Sequence, residues 1–417
     1  MRSASSSGWA LTATMVRLTS VSVPLVAGGG WWRVAVCRAW QGVWVRIALV
    51  SDVFLPRLGG IEVQVDRLAR GLVSAGHEVV VLTITPGAQV DMVEGGVQVL
   101  RFPLPVRLPG SVVVNPAGAG WLRSVLGEGG FDVVHVHMGV VSPFAFDAVQ
   151  VAAQLGLAHV VTCHSLVGGA GRLWLRLSGR VDRWVRGGAV LSAVSGVAAQ
   201  RLAAAASGDV EVEVVPNGVD TQVWRRWCGV RPRAGGVRVV SAMRLSRIKR
   251  PVALLELVQV ARGLVPGVPI TVEVAGDGPL RPVCERWVSR HGAGGWVRLR
   301  GRLSHAELVR MYGGADVFVS PVVDEAFGIA ALEARACGVP VFGRVGSGVG
   351  EFVRSGVDGV LMDSDVGLAR AVAHCAVDGV WMAGLREQAG AELPERFGQG
   401  AIVAGAVGLY ERAARGV

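Results

Sequence analysis

The 417-residue chain has no run of 18–20 apolar, uncharged residues, and so nothing of the length that a bilayer-spanning helix requires. Its least charged stretch, Met138 to Gly171, is interrupted by Asp147, Gln150, Gln154, His159 and His164 and reads as core. Cysteines are few: Cys37, Cys163, Cys228, Cys284, Cys337 and Cys375 show no CxxC or zinc-ligand spacing. That scatter argues against disulfides and favours reduced thiols in a cytoplasm. An aromatic RNP-like strand and a recognition-helix motif are both missing, which speaks against a nucleic-acid partner. Acidic residues are outnumbered, 32 Asp and Glu against 42 Lys and Arg for a formal charge of +10. The excess calls for an anionic partner such as a nucleotide or a phospholipid surface.

Acids are wholly lacking from residues 1–44, which carry Arg2, Arg17, Arg33 and Arg38, a Gly28-Gly29-Gly30 run and five of the thirteen tryptophans. Arg17 interrupts the apolar stretch and no small-residue cleavage site closes it, so a signal peptide is a poor fit. The expectation is a non-native or disordered extension, with translation of the native protein starting near Val43 or Val45; its intact mass is the test.

From Val45 the pattern is regular. "VRIALVS" is a strand run, "GIEVQVDRLARGLVSAG" has helical spacing with a glycine stop, and "HEVVVLTI" is a second strand, which makes a βαβ unit. The alternation continues through "FDVVHVH", "HVVTCHS", "AVLSAVS" and "VEVVPNG", breaks at "RRWCGVRPRAGG", and resumes with "VRVVSAMR", "ITVEVAGDGP", "WVRLRG", "ADVFVSPV", "VPVFGR" and "DGVLM". Short Val-, Ala- and Leu-rich runs punctuated by 59 glycines suit parallel strands buried on both faces. A chain of this length exceeds what one core usually serves. The fold class is therefore α/β, with two doubly wound Rossmann-like domains facing a cleft, where ligands of such sheets bind. The expected divisions are residues 45–225, 226–395 and a C-terminal helix over 396–417.

Four loops at predicted strand ends carry candidate chemistry. In "PRLGGIE", Gly59 and Gly60 let backbone approach a ligand, and the following helix N-terminus offers N–H groups to an anion; a plain βα turn explains the same residues, and the spacing is not that of a dinucleotide fingerprint. In "HVH", His135 and His137 share a face of their strand, and His137 reaches its end; a satisfied core histidine is the alternative, and no third metal ligand accompanies the pair. Arg244 and Lys249 in "RLSRIKR" can clamp a diphosphate and neutralise the charge of a leaving phosphate, or belong to a solvated charge run. Gly276 in "AGDGP" leaves room for a nucleotide or simply reverses the chain. "DSD", Asp363 to Asp365, reads as a helix N-cap cluster, with no metal assigned.

The stretch "DEAFGIAALEA" holds Glu325 and Glu333 eight positions apart. Even a continuous helix would separate them by about 12 Å. Glycosidase carboxylate pairs stand roughly 5–9.5 Å apart, so a two-carboxylate hydrolase is disfavoured. With a helix beginning near Gly328, the backbone of Phe327, Gly328 and Ile329 and the carboxylate of Glu333 would instead line one extended ligand, such as a nucleotide sugar.

Taken in order, "PRLGGIE", "GHEVVVLT", "FDVVHVH", "PNGVD", "RLSRIK", "GDGP" and "EAFGIAALEARACGVPV" resemble the motifs of family 4 retaining glycosyltransferases of the GT-B fold, over about residues 45–390. The resemblance implies transfer of a hexose or N-acetylhexosamine from a nucleoside diphosphate donor, with retention and without a required cofactor or metal, to a lipid or glycan acceptor. It places Arg244 and Lys249 on the diphosphate, Glu325 on the donor sugar, Glu333 on the ribose, His137 at the sugar site and Leu303 of "RGRLS" near the base. Gly59 and Gly60 would shape the loop facing phosphate and acceptor. Residues 45–225 would be the acceptor side and 226–395 the nucleotide-sugar side. More narrowly, "SDVFLPRLGGIE" and "SPFAFDAVQVAAQLGLAHVVTCHSLVG" resemble the catalytic subunit that adds N-acetylglucosamine to phosphatidylinositol. A GT-B sugar-nucleotide epimerase and a non-catalytic nucleotide-sugar binder share the architecture; the first needs further cleft carboxylates, and the second should lack Arg244, Lys249 or Glu325.

On a single helical wheel Arg172, Arg176, Arg180, Arg183 and Arg186 fall within about 120°, with Leu173, Trp174, Leu177, Val181 and Trp184 elsewhere. Such a stripe can meet an anionic membrane from the cytoplasmic side; a solvated arginine face on a helix buried by its other side explains it equally.

Overall fold

The computed structural model describes residues 44–416 except 58, 94, 103–105, 109–111, 226–234 and 392. The expectation about residues 1–44 thus falls, Trp44 apart, outside the described residues, as does most of the segment at which the first series of strands ends.

Two parallel sheets organise the described chain. The first runs, edge to edge, through Glu213–Val214, Val190–Ala193, Ala158–Cys163, Val133–Met138, Arg46–Ser51, Glu78–Thr83, Val97–Arg101 and Val90–Val93, and only the last strand is antiparallel. The second runs Val297–Gly301, Ile270–Ala275, Val237–Ala242, Val317–Val319, Val341–Arg344 and Gly359–Met362, all parallel. The central strands are almost wholly apolar because helices cover both faces. Each sheet begins with its central strand and winds outward in both directions, so the loops at the carboxyl ends of adjacent strands open a crevice where the winding reverses.

One row of the first sheet breaks the apolar rule. Thr83 pairs with Ser51, Ser51 with His137, His137 with Thr162, and Thr162 with Ser192. Polar side chains therefore cross the sheet in register near its carboxyl end, on buried strands. The helix Gln399–Arg415 packs over this sheet against Ala158–Cys163 and the helix Gly60–Ser74. Tyr410 of that helix reaches His135.

The second sheet carries one core on its outer face, built by the helices Pro251–Leu264 and Asp365–Val377. Its inner face is continuous with the core of the first sheet through Phe318, Phe327, Ala331, Leu332 and Tyr312.

Candidate active site

The first wall of the crevice is the turn before the helix Gly60–Ser74. Gly59 caps that helix in an extended conformation, φ −166°, so its glycine answers crowding and not strain. The Glu62 carboxylate folds back over it, and a Cβ on Gly59 would lie 2.5 Å from Oε2. Arg57 pairs with Glu62 at 2.9 Å. Burial raises the Glu62 pKa from its ordinary value, opposed by a backbone hydrogen bond, by Arg57 and by Arg244 from the facing sheet. A Cβ on Gly60 would touch Ile329 Cδ1 at 3.5 Å, so the glycine turn faces the start of the "EAFGIAALEA" helix. Gly139, just past the His137 strand, sits equally close to Ile61 and to Ser165, with 3.6 Å to each from its Cβ position.

Both strand histidines are buried. His135 is satisfied on both sides, Nδ1 2.9 Å from the Tyr410 hydroxyl and Nε2 2.7 Å from Thr162 Oγ1, and fits the core-histidine reading. His137 differs: Nδ1 lies 2.9 Å from His164 Nε2, while Nε2 is buried with no hydrogen-bond partner among the described residues. Burial holds His135 down at about 3 and His164 at about 4. Burial and the neighbouring imidazoles hold His137 well below its ordinary value. All three rings are neutral at physiological pH. The sequence reading missed His164, although it directly follows the strand neighbouring that of His137.

The second wall is built by two adjacent strand-end loops. Met243 N–H donates to Ala275 O at 3.0 Å and Leu245 N–H to Asp277 O at 3.0 Å, lacing "MRLS" to "AGDG". Gly276 has φ +119°, and any Cβ there would collide with the Met243 carbonyl oxygen. Its glycine is thus required by the loop that carries Arg244, a reason the sequence reading did not reach. Lys249, in the turn that follows, pairs with Glu325 at 2.7 Å.

Gly328 caps the helix Ile329–Ala336 with φ +91°, a conformation that favours glycine. The first N–H groups of that helix have no intrahelical acceptor. Phe327 buries its ring against Phe352 and Phe397, with centroids 5.4 and 6.2 Å away, so only its backbone can face a ligand. Glu333 is buried and accepts from Arg67, two turns along the glycine-turn helix, at 2.9 Å. Burial lifts the Glu333 pKa, and Arg67 opposes the shift. Arg67 also donates to Gly218 O of "PNGVD" at 3.2 Å. The sequence reading missed Arg67, yet its position seven residues after Gly60 puts both on one helix face. Leu303 is half-buried against the inner core, in the loop before the helix His305–Gly313.

Two other readings change in detail. Ser364 caps the helix Asp365–Val377, and the Asp365 carboxylate is held by Arg250 at 2.6 and 2.9 Å and by Arg344 at 3.0 Å. No group of three or more His, Cys, Asp or Glu among the described residues is placed to hold a metal. The arginine stripe is not one helix. Gly179, at φ +58°, separates Gly169–Leu177 from Arg180–Arg186. Arg180 leaves the stripe to stack on Trp174 and Phe146, 4.9 and 5.2 Å from the ring centroids. Leu173 and Leu177, expected on a buried side, are 58% and 79% exposed. Among the described residues no helix is long and apolar enough to cross a membrane.

Residues 58–223 match the family model described as Glycosyltransferase Family 4, and residues 233–378 match Glycosyl transferases group 1. The chain belongs to the family 4 glycosyltransferases. This glycosyltransferase is 29% identical over 332 residues to a phosphatidylinositol N-acetylglucosaminyltransferase subunit of Arabidopsis thaliana, covering 78% of this chain and 71% of the relative. It is 29% identical over 365 residues to the glycogen synthase of Mycobacterium tuberculosis, covering 79% and 85%. The crystal structure of Anabaena HepE in complex with UDP and glucose superposes with a TM-score of 0.66 at 19% identity, covering 87% of this chain and 98% of that one. The fold of this glycosyltransferase is GT-B.

Proposed function

We propose that this glycosyltransferase moves a hexose or N-acetylhexosamine, with retention of anomeric configuration, from a nucleoside diphosphate sugar to a lipid or glycan acceptor in cell-envelope or glycoconjugate synthesis. In this reading residues 45–225 and the helix after 396 form the acceptor side, and 226–395 the donor side. The observation that carries it is the Lys249–Glu325 pair at 2.7 Å, set in the same crevice as Arg244, the Gly59-Gly60 turn and the free Nε2 of His137.

Lys249 and Glu325 neutralise each other without a ligand. A diphosphate takes over Lys249, and Glu325 is released to accept hydrogen bonds from sugar hydroxyls. Arg244 and Lys249 then stabilise the charge that grows on the departing diphosphate. Phe327, Gly328 and Ile329 offer backbone N–H groups, Glu333 the ribose contact, and Leu303 and Gly276 border the nucleoside. His137, held neutral, hydrogen-bonds a sugar hydroxyl without adding positive charge beside an anomeric carbon that becomes cationic. The acceptor oxygen bonds to that carbon on the face the phosphate leaves, and a phosphate oxygen takes the hydroxyl proton.

The lipid side of the proposal has its own support. Leu173, Trp174 and Leu177 are 58%, 46% and 79% exposed, next to exposed Arg172 and Arg176. A Cβ on Gly171 would lie 3.2 Å from Val140, in the loop after the His137 strand, so the patch adjoins the acceptor side. An apolar surface flanked by cations fits an anionic bilayer. Flotation with phosphatidylglycerol vesicles, and not with phosphatidylcholine alone, is expected, and Leu173→Ser with Leu177→Ser should abolish it. Equal flotation of that variant would remove the membrane surface from the proposal. Thermal-shift screening against UDP, GDP and ADP sugars tests the donor, because a bound donor stabilises the native state; no shift with any of them would count against the donor class.

A further inference from the structure

We infer that His164 is a positioning residue for the transfer, holding the His137 imidazole so that Nε2 is the ring nitrogen offered to the donor sugar; this rests on the role proposed for His137 above. His137 has two ring nitrogens, and His164 Nε2 occupies Nδ1 at 2.9 Å. Nε2 is left buried and without a partner among the described residues. A buried polar atom left so is costly unless something arrives to satisfy it.

The ring cannot turn away. The His135 ring stands 4.0 Å from it, and the His164 ring 5.2 Å on another side. His135 is itself fixed by Tyr410 and by Thr162, and Thr162 bonds Ser192 at 2.5 Å. The main chain locks the second support as well, since His164 N–H donates to Met138 O at 2.9 Å, tying the loop to the end of the His137 strand. Two neutral imidazoles share one proton in the Nδ1–Nε2 bond. Its position decides whether His137 Nε2 donates or accepts, and a sugar hydroxyl can answer either. His164 therefore acts on the sugar through His137, from the far side of the ring.

The test compares His164→Ala, His164→Gln and His137→Ala, using kcat and donor KM for nucleoside diphosphate release from UDP-glucose, UDP-N-acetylglucosamine, GDP-mannose and ADP-glucose. His164→Ala should lower kcat about tenfold, the scale of one lost orienting hydrogen bond, with donor KM changed by no more than about twofold because the diphosphate is held by the other sheet. His164→Gln, whose amide nitrogen reaches the place of Nε2, should recover kcat to within about threefold. Equal loss in both His164 variants, or wild-type kcat in His164→Ala, would overturn the assignment. Full activity of His137→Ala would instead remove the His137 role, and this inference with it.

Discussion

Replacing Arg67 by Ala removes the only counter-charge that the described residues give Glu333, while leaving the carboxylate in place. Glu333 and Arg67 are 11% and 22% exposed at the side chain. Breaking a fully buried pair costs roughly 3–5 kcal/mol because the remaining charge is stranded. The partial exposure of Arg67 lowers that to about 2–3 kcal/mol, since water screens part of the interaction. Glu333→Gln should cost less, because a neutral amide needs no counter-charge. Urea unfolding of both single variants and the double variant closes a cycle, with an expected coupling of about 2 kcal/mol. Equal cost for the two singles, or a coupling below about 0.5 kcal/mol, the level at which independent sites add, would refute the reasoning that Arg67 keeps Glu333 ionised across the crevice.

Further outcomes follow from the histidines and from Gly276. His135 and His164, held at about 3 and 4 in the folded chain, stay neutral while the unfolded chain takes up protons below about 6.5. Their contribution is therefore complete above pH 6.5 and is lost as pH falls toward 4, at about 1.4 kcal/mol per group per pH unit. Urea unfolding at pH 7 and 5 should show it, and His164→Gln should flatten the slope by one proton; an unchanged slope would count against a neutral His164. Gly276→Ala should cost about 2 kcal/mol or more from the left-handed backbone and the collision with Met243. It should also weaken donor binding by displacing Arg244; wild-type stability and donor shift would show that the loops are not laced as described.

Much of the fold was legible because parallel strands covered on both faces must be continuous apolar runs, and "RIALVS" and "VRVVSA" are such runs. Gly59, Gly60, Arg244, Lys249 and Glu325 could be singled out because doubly wound sheets present ligand-binding residues in the loops after their strands. The contacts of those residues could not. Arg67 and Glu333 lie 266 positions apart, and Glu62 meets the field of Arg244 only through the packing of two sheets. A helical wheel drawn through Gly179 assumed a continuous helix, and one left-handed glycine ended it. Gly276 looked like room for a ligand because a lone sequence does not show which backbone oxygen lies beneath it.

The central claim is that Lys249 and Glu325 form the working edge of a donor site. Purified wild-type protein, Lys249→Ala and Glu325→Gln, assayed for sugar transfer from the donor that gives the largest thermal shift, test it most directly. The account predicts transfer by the wild type and its loss in both variants, with both still folded at the assay temperature: Lys249→Ala strands Glu325 in a pair 31% and 12% exposed and should cost about 2 kcal/mol, and Glu325→Gln less. Wild-type turnover by either variant would contradict it.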